Sequence, residues 1–369
     1  MYKVLTNGTI YTGDNCITGK SIVISDDHIE AIVANRSVPK NAEIIDCHGN
    51  NISPGFIDLQ IAGAGGYLFS SNLNGKALGA ITENILKSGT TGFLIVLPTN
   101  HPDIYPGAIK TIKENPDPAV LGLHLEGPFI NTSRRGAHAV EYIKKPGKEE
   151  IDHLLKDAAG IVKMVTVAPE LCTREIIEQL SGYGIVVCAG HSNATFDEAM
   201  NGFSWGIKAV THLFNAMSPM HHRDTGLPGA TFQSERILAS IVADGIHVDY
   251  GMISIAKKLL KERLYLVSDA VESSSEAAVQ HVRQNDRFTL PDGTLSGSAL
   301  TMMKAVQNCV ERVGISLDEA LRMASAYPAK LMNLKNNGKI NQGYKADLVI
   351  FDENFEVNLV IKDGKAIKD

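Results

Sequence analysis

The chain is short of the features that would tie it to a membrane, to nucleic acid or to an oxidising compartment. No apolar run approaches the ~18 residues that a membrane span needs, and Met1-Tyr-Lys-Val-Leu5 passes straight into strand-like sequence with no sign of a signal peptide. The five cysteines (16, 47, 172, 188 and 309) are odd in number, scattered and never spaced as Cys-x-x-Cys. That argues for reduced thiols in a cytoplasmic protein rather than a disulfide framework. Cys188, inside an apolar strand, reads as a small core residue. Lys and Arg form no dense run and the formal net charge is -6, so there is no basic field to attract nucleic acid. An anionic substrate would have to be held by local cations and backbone N–H groups.

What the chain does have is 369 residues, 44% of them hydrophobic and 21% charged, which suits a globular protein with a real core. Short β-like pieces open it: Tyr2–Leu5, Gly8–Tyr11, Ser21–Ser25 and His28–Val33, separated by Asn-Gly and Asp-Asp turns. The last ~25 residues return to that style with Ala346–Asp352 and Val357–Lys362. Neither end has enough strand for a stable sheet alone, so both are expected to build one small β-sandwich, residues 1–52 plus 342–369.

Residues 53–341 alternate apolar strands with helix-spaced segments such as Gly79–Ser88 and Asp197–Gly202. Eight strands are expected: Ile52–Ile61, Thr91–Pro98, Val120–Glu126, Val162–Pro169, Ile185–His191, Ala209–Phe214, Ile237–Ile246 and Leu264–Asp269. Most are continuous apolar runs, as for parallel strands covered on both faces. Eight such units predict an α/β fold, a (β/α)8 TIM-like barrel. The rival, a doubly wound open sheet, would carry Gly-x-Gly-x-x-Gly after its first strand, and the irregular Asp58-Leu-Gln-Ile-Ala-Gly-Ala-Gly-Gly66 does not supply it. A polar stretch from Val271 to Arg287, then a Phe288–Ser298 hairpin with a Pro-Asp-Gly turn and a helix entered at Ala299, would lie over the barrel mouth.

Four chemically able residues sit where an apolar strand meets a small or polar turn: Glu126, His191, His212 and Asp269. A carboxylate and two imidazoles from separate strand ends are the donor set of a catalytic metal site with an open position. Asp269 beside such a site is placed to act as a general base. His124, two residues before Glu126, faces the same way but deeper, and reads as a core or supporting histidine. Arg223, His138, His247, Asn215 and Ala216 fall on the presumed mouth loops and suit an anionic or phosphorylated substrate. His221 and Arg134, taken singly, read as solvated loop residues.

At this point the chain resembles the N-acetylglucosamine-6-phosphate deacetylases of the amidohydrolase superfamily. The resemblance runs through Pro54-Gly-Phe-Ile-Asp58, His124-Leu-Glu-Gly-Pro-Phe129, Gly190-His-Ser-Asn-Ala-Thr195, Thr211-His-Leu-Phe-Asn-Ala-Met217, Ala243-Asp-Gly-Ile-His247, Ser268-Asp-Ala270, Leu295-Ser-Gly-Ser298 and Gly343-Tyr-Lys-Ala-Asp-Leu-Val349. It implies that Glu126, His191 and His212 bind one divalent metal per subunit, zinc first, with iron, cobalt or manganese as alternatives. It implies Asp269 as the acid/base, and Ala137, His138, Asn215, Ala216, His247, Leu295, Ser296 and Gly297 as contacts to the amino sugar and its phosphate. Arg223 is implied to reach the substrate of a neighbouring subunit, which requires a homodimer. The reaction implied is release of acetate from N-acetyl-D-glucosamine 6-phosphate to give D-glucosamine 6-phosphate, a step of amino-sugar catabolism and cell-wall recycling.

One departure bears on the metal count. Many amidohydrolases carry His-x-His after strand one, whereas the aligned stretch here is Asp58-Leu59-Gln60, which favours a single metal with Gln60 not a ligand. The same departure, with a fourth strand ending Val165-Thr-Val-Ala-Pro-Glu170, counts against the rival reading of a cyclic amidase. A non-catalytic barrel serving as an assembly module is the alternative from another class, and the presence of all three ligands and Asp269 weighs against it.

Overall fold

The computed structural model of the chain describes residues 2–273 and 280–367. Its largest sheet has eight parallel strands, each paired with the next in sequence: Phe56–Ile61, Thr90–Pro98, Val120–Glu126, Val162–Val167, Val186–Ala189, Ala209–Val210, Leu238–Ile241 and Leu264–Leu266. A helix follows every strand, the first at Gly75–Lys87 and the last at Met302–Asn308. This is the expected (β/α)8 barrel. Its strands are apolar on both faces because one face packs inside the barrel and the other against the helices; Phe93, Leu94, Ile95 and Leu97 of the second strand are all fully buried. The helix Gly75–Lys87 shows the complementary logic. Asn74 caps it by accepting from the Ala77 amide, and Ala77, Leu78, Ile81 and Ile85 form the buried stripe at three-to-four spacing.

The chain ends form two further sheets. One has four strands drawn from residues 3–46; the other has six and joins Thr9–Tyr11 and Asn51–Pro54 to Leu348–Phe351 and Val357–Lys362. Leu5, Ile10, Ile22, Ile24, Ile29, Ile52, Leu348, Ile350 and Ile361 share a core between them, separate from that of the barrel. The continuous run expected as one strand, Ile52–Ile61, is in fact two strands in two sheets, divided at Gly55. A Cβ on Gly55 would lie 2.2 Å from the Thr91 side chain, so only glycine lets the chain cross from sandwich to barrel there. Among the described residues no helix is long and apolar enough to cross a membrane.

Between the first and last barrel strands the ladder is reduced to an isolated bridge, Ile61 with Ala270, and to the Ala62 and Gly63 amides donating to the Ala270 carbonyl. A side chain supplies much of the remaining closure. The fully buried Asp58 carboxylate accepts from the Ser268 amide (3.2 and 3.3 Å) across the seam and from the Gln60 amide (3.1 Å) on its own strand. Beyond the last strand, Leu295–Ser298 is stitched alongside: the Ser298 amide donates to the Asp269 carbonyl at 2.9 Å and its hydroxyl to the Ser268 carbonyl at 2.6 Å. The expected hairpin is present as Arg287–Thr289 paired with Leu295–Ser298, and the helix after it begins at Met302, later than Ala299, because the Thr301 side chain provides the cap. Part of the polar stretch expected over the mouth, residues 274–279, lies outside the described residues.

Three barrel strands stop before the candidate site residues they were expected to contain. His191, His212 and Asp269 have φ of 46°, 34° and 55°, so each sits just past its strand in the left-handed region. The seventh strand, expected to continue to Ile246, ends at Ile241.

Loss of the seam carboxylate sets a first prediction. Asp58→Ala leaves two buried amides without an acceptor and should destabilise the protein by about 1–3 kcal/mol, measured by urea unfolding. Burial pushes the Asp58 carboxyl up to about 7, against the Ser268 and Gln60 hydrogen bonds that pull it down. A raised folded-state value means that charging the group opposes folding between pH ~4 and the folded value. The stability gap between wild type and Asp58→Ala should therefore narrow as pH rises through that window; a constant gap would show that the carboxyl does not titrate there.

Candidate active site

A cavity of about 420 Å³ opens at the end of the barrel where the strands finish, and it brings together the residues singled out from the sequence. Glu126, His191, His212 and Asp269 line it, as do Ala137, His138, Asn215, Ala216 and His247 from the loops and Leu295, Ser296 and Gly297 from the hairpin. Arg223 is the exception: it lies outside the cavity, exposed on the loop after His222.

The metal-binding set is built around the Glu126 carboxylate at the end of the third strand. Its Oε1 lies 3.0 Å from His212 Nε2 and 3.4 Å from His191 Nε2, and the two Nε2 atoms are 3.1 Å apart. These donor atoms fall within 4.8 Å of one another and all three residues are buried. His191 Nδ1 donates to the Arg134 carbonyl (3.0 Å), which fixes its tautomer and leaves a lone pair on Nε2. Burial and the neighbouring His138 keep it neutral, pushing its pKa down to about 4. Two imidazoles nose to nose beside a carboxylate, with His212 Nδ1 buried and unpartnered among the described residues, form a poor hydrogen-bond network but a suitable donor set for a divalent cation. Burial would raise the Glu126 carboxyl, but the hydrogen bonds of His138 and His212 help to hold it well below its ordinary range, so it is an anion.

The other side chains are held in defined roles. Thr99 donates its amide (3.1 Å) to His138 Nδ1, so the His138 proton sits on Nε2, 3.4 Å from Glu126 Oε2. Asp244 accepts from the Ile246 and His247 amides and lies 2.6 Å from His247 Nδ1, which aims that ring into the cavity. Asp269 is half-buried, and its removal from water together with the charge of Glu126 raises its pKa, partly offset by His212, His247 and His191. It is therefore a carboxylate that accepts a proton more readily than an exposed one would. His124 has both ring nitrogens engaged, by the Leu59 carbonyl (3.0 Å) and Thr166 Oγ1 (2.7 Å), and supports the barrel interior from beneath the site.

Two residues, Arg134 and His281, were missed or misjudged from the sequence, and Gln60, expected not to be a ligand, touches both acidic side chains. Gln60 donates through Nε2 to Glu126 Oε1 and to Asp269 Oδ1, both at 2.9 Å. An amide nitrogen turned toward two carboxylates acts as a donor, in keeping with its expected exclusion from the ligands. Arg134, expected to be solvated, instead lines the cavity and bonds Asn193 Oδ1 at 2.9 Å. His281 lines the cavity from the hairpin side, and no motif pointed to it.

The model of the amidohydrolase family matches residues 51–367, and that of the NagA composite domain matches residues 1–52. The N-acetylglucosamine-6-phosphate deacetylase of Haemophilus influenzae is 33% identical over 99% of both chains, and the human protein of that name is 35% identical over 87% of this chain and 84% of its own. Among solved structures, the deacetylase of Pasteurella multocida superposes with a TM-score of 0.96 at 36% identity, covering 99% of each chain. An aspartate-to-alanine mutant of the Mycobacterium smegmatis deacetylase, in complex with N-acetyl-D-glucosamine 6-phosphate, superposes with a TM-score of 0.92 at 27% identity over all of both chains. Matched in sequence from end to end and in the barrel that carries this cavity, the chain belongs to the amidohydrolase family and groups there with the N-acetylglucosamine-6-phosphate deacetylases.

Proposed function

We propose that this chain is an N-acetylglucosamine-6-phosphate deacetylase, a hydrolase that cleaves the acetamido C–N bond of N-acetyl-D-glucosamine 6-phosphate to give D-glucosamine 6-phosphate and acetate. The observation that carries this reading is the convergence of Glu126, His191, His212 and Asp269 in one buried cavity, in a chain alignable along 99% of its length with a deacetylase of that name.

Glu126, His191 and His212 would hold a single divalent ion, with zinc the first choice and iron, cobalt or manganese the alternatives that such a donor set accepts. Bound there, the ion supplies Lewis acidity toward the acetyl carbonyl and lowers the pKa of water. The proton work belongs to Asp269. It takes one proton of the attacking water as oxygen adds to the carbonyl carbon, then passes it to the nitrogen as the C–N bond breaks, so that the amine leaves together with acetic acid, which gives up the water's second proton to solvent and becomes acetate. Gln60 holds the Asp269 carboxylate by an N–H donated to Oδ1, and its amide occupies the side of the site where a second ion would need imidazoles.

Ala137, His138, Asn215, Ala216, His247 and the Leu295–Gly297 segment would contact sugar and phosphate. In its own subunit Arg134 is the one Lys or Arg along the cavity among the described residues, and Arg223 is exposed away from it. The resemblance to the deacetylases would have Arg223 reach the phosphate in the neighbouring subunit of a homodimer. Residues 1–52 with 342–369 would form the sandwich domain and 53–341 the hydrolase domain. A cytoplasmic setting is supported by the five unpaired cysteines.

The test of the reading is acetate release from N-acetylglucosamine 6-phosphate and from its unphosphorylated form; equal activity on both would refute a dedicated phosphate site. Asp269→Asn should keep its bound metal, by elemental analysis, while kcat falls at least ~10²-fold; near-normal turnover would remove Asp269 from the mechanism. Arg223→Ala should raise KM for the phosphorylated substrate and leave KM for the unphosphorylated sugar alone. Chelation should abolish acetate release and a single equivalent of divalent ion per subunit should restore it, whereas full restoration only at two equivalents would overturn the one-metal assignment.

A further inference from the structure

We infer that His281 is a substrate contact of this enzyme and reads a ring hydroxyl of the amino sugar, an inference that rests on the sugar-phosphate reading above. His281 lies just before the hairpin strand Val282–Gln284, whose three residues are all exposed. His281 itself turns inward and lines the main cavity.

Its one protein partner among the described residues is Ser296 Oγ, 3.0 Å from Nδ1. Ser296 is 7% exposed and lines the same cavity. The serine belongs to Leu295–Ser298, the strand whose Ser298 amide is bonded to the Asp269 carbonyl, so His281 stands on the wall of the cavity next to the reacting end.

The Ser296 bond also decides what the ring can recognise. A neutral imidazole has one donor and one acceptor nitrogen. Burial keeps this one neutral by lowering its pKa, against a smaller opposing effect of the Ser296 backbone. If Nδ1 donates to Ser296, Nε2 accepts; if Nδ1 accepts, Nε2 donates. Because the serine hydroxyl can rotate to suit either case, the pair adapts to a ligand group that both donates and accepts. A sugar hydroxyl is such a group, whereas a phosphate at neutral pH mainly accepts and would not need this freedom. Arg134 and the partner's arginine are the better anion ligands.

Two variants test the role. His281→Leu fills the volume without a hydrogen bond, and His281→Gln keeps a donor and an acceptor. The Leu variant should raise KM for N-acetylglucosamine 6-phosphate about 10-fold, with kcat within about 3-fold and Tm unchanged, the loss expected for one unmade hydrogen bond. The Kd of glucosamine 6-phosphate, measured by calorimetry independently of turnover, should weaken in parallel, and the Gln variant should recover most of both. If the Leu variant keeps KM and Kd within about 2-fold of wild type, or the Gln variant is impaired as much as Leu, the contact does not exist. Wild-type protein inactive on N-acetylglucosamine 6-phosphate would instead overturn the underlying reading, which separates the two failures.

Discussion

The Asp58 carboxylate at the barrel seam is the constraint on which the site depends. A barrel closes only if its first and last strands meet, and here the last strand runs for three residues and barely pairs with the first. Asp58 bridges the gap by accepting from the Ser268 amide across the seam, and is itself held by the Gln60 amide on its own strand. Those amides directly flank the two groups that matter: Gln60 carries the carboxamide that touches both acidic side chains, and Ser268 precedes Asp269. One buried carboxylate thus sets the distance between strand one and strand eight and the aim of Gln60 and Asp269. Burying such a group is costly; the site gains from it a fixed geometry at the one place where the sheet alone gives little.

From that seam the polar groups form a connected chain around the cavity. Gln60 bridges Asp269 and Glu126; Glu126 meets His212, His191 and His138; His191 is held by the Arg134 carbonyl and His138 by Thr99. Most members have their tautomer or charge fixed by a neighbour, which is the condition for preorganised electrostatics. His212 Nδ1 is the loose end. Glu126 is held as an anion while Asp269 is raised, so two carboxylates in one cavity are set apart by environment rather than by residue type.

Much of this was legible in the sequence because it rests on local pattern. Apolar runs marked the strands, and three of the runs ended on a residue that lines the cavity: Glu126, His191 and Asp269. Glu126, at the end of the longest well-paired strand of the four, was placed correctly in detail. The strand lengths were not, because nothing in Val-Val-Cys-Ala-Gly-His shows that the backbone turns left-handed at His191. The Ile52–Ile61 run was read as one strand since both halves are apolar, although Pro54-Gly55 marks the break. Arg134 and His281 were out of reach for another reason: their roles arise from contacts across 57 and 15 residues of sequence, and each is of a type common on loops.

The left-handed conformations at His191, His212 and Asp269 have a consequence for evolution in the laboratory. Such conformations cost non-glycine residues about 1–3 kcal/mol each and persist where the surroundings impose them. Glycine adopts them freely. Selection of this chain for thermal resistance alone would therefore favour erasing the very side chains that act, since glycine at any of the three relieves backbone strain and, at His212, removes an unpartnered polar atom as well. Stability and activity are opposed here at the level of single φ angles, and any programme to harden the enzyme has to hold those three positions fixed and seek its gains elsewhere.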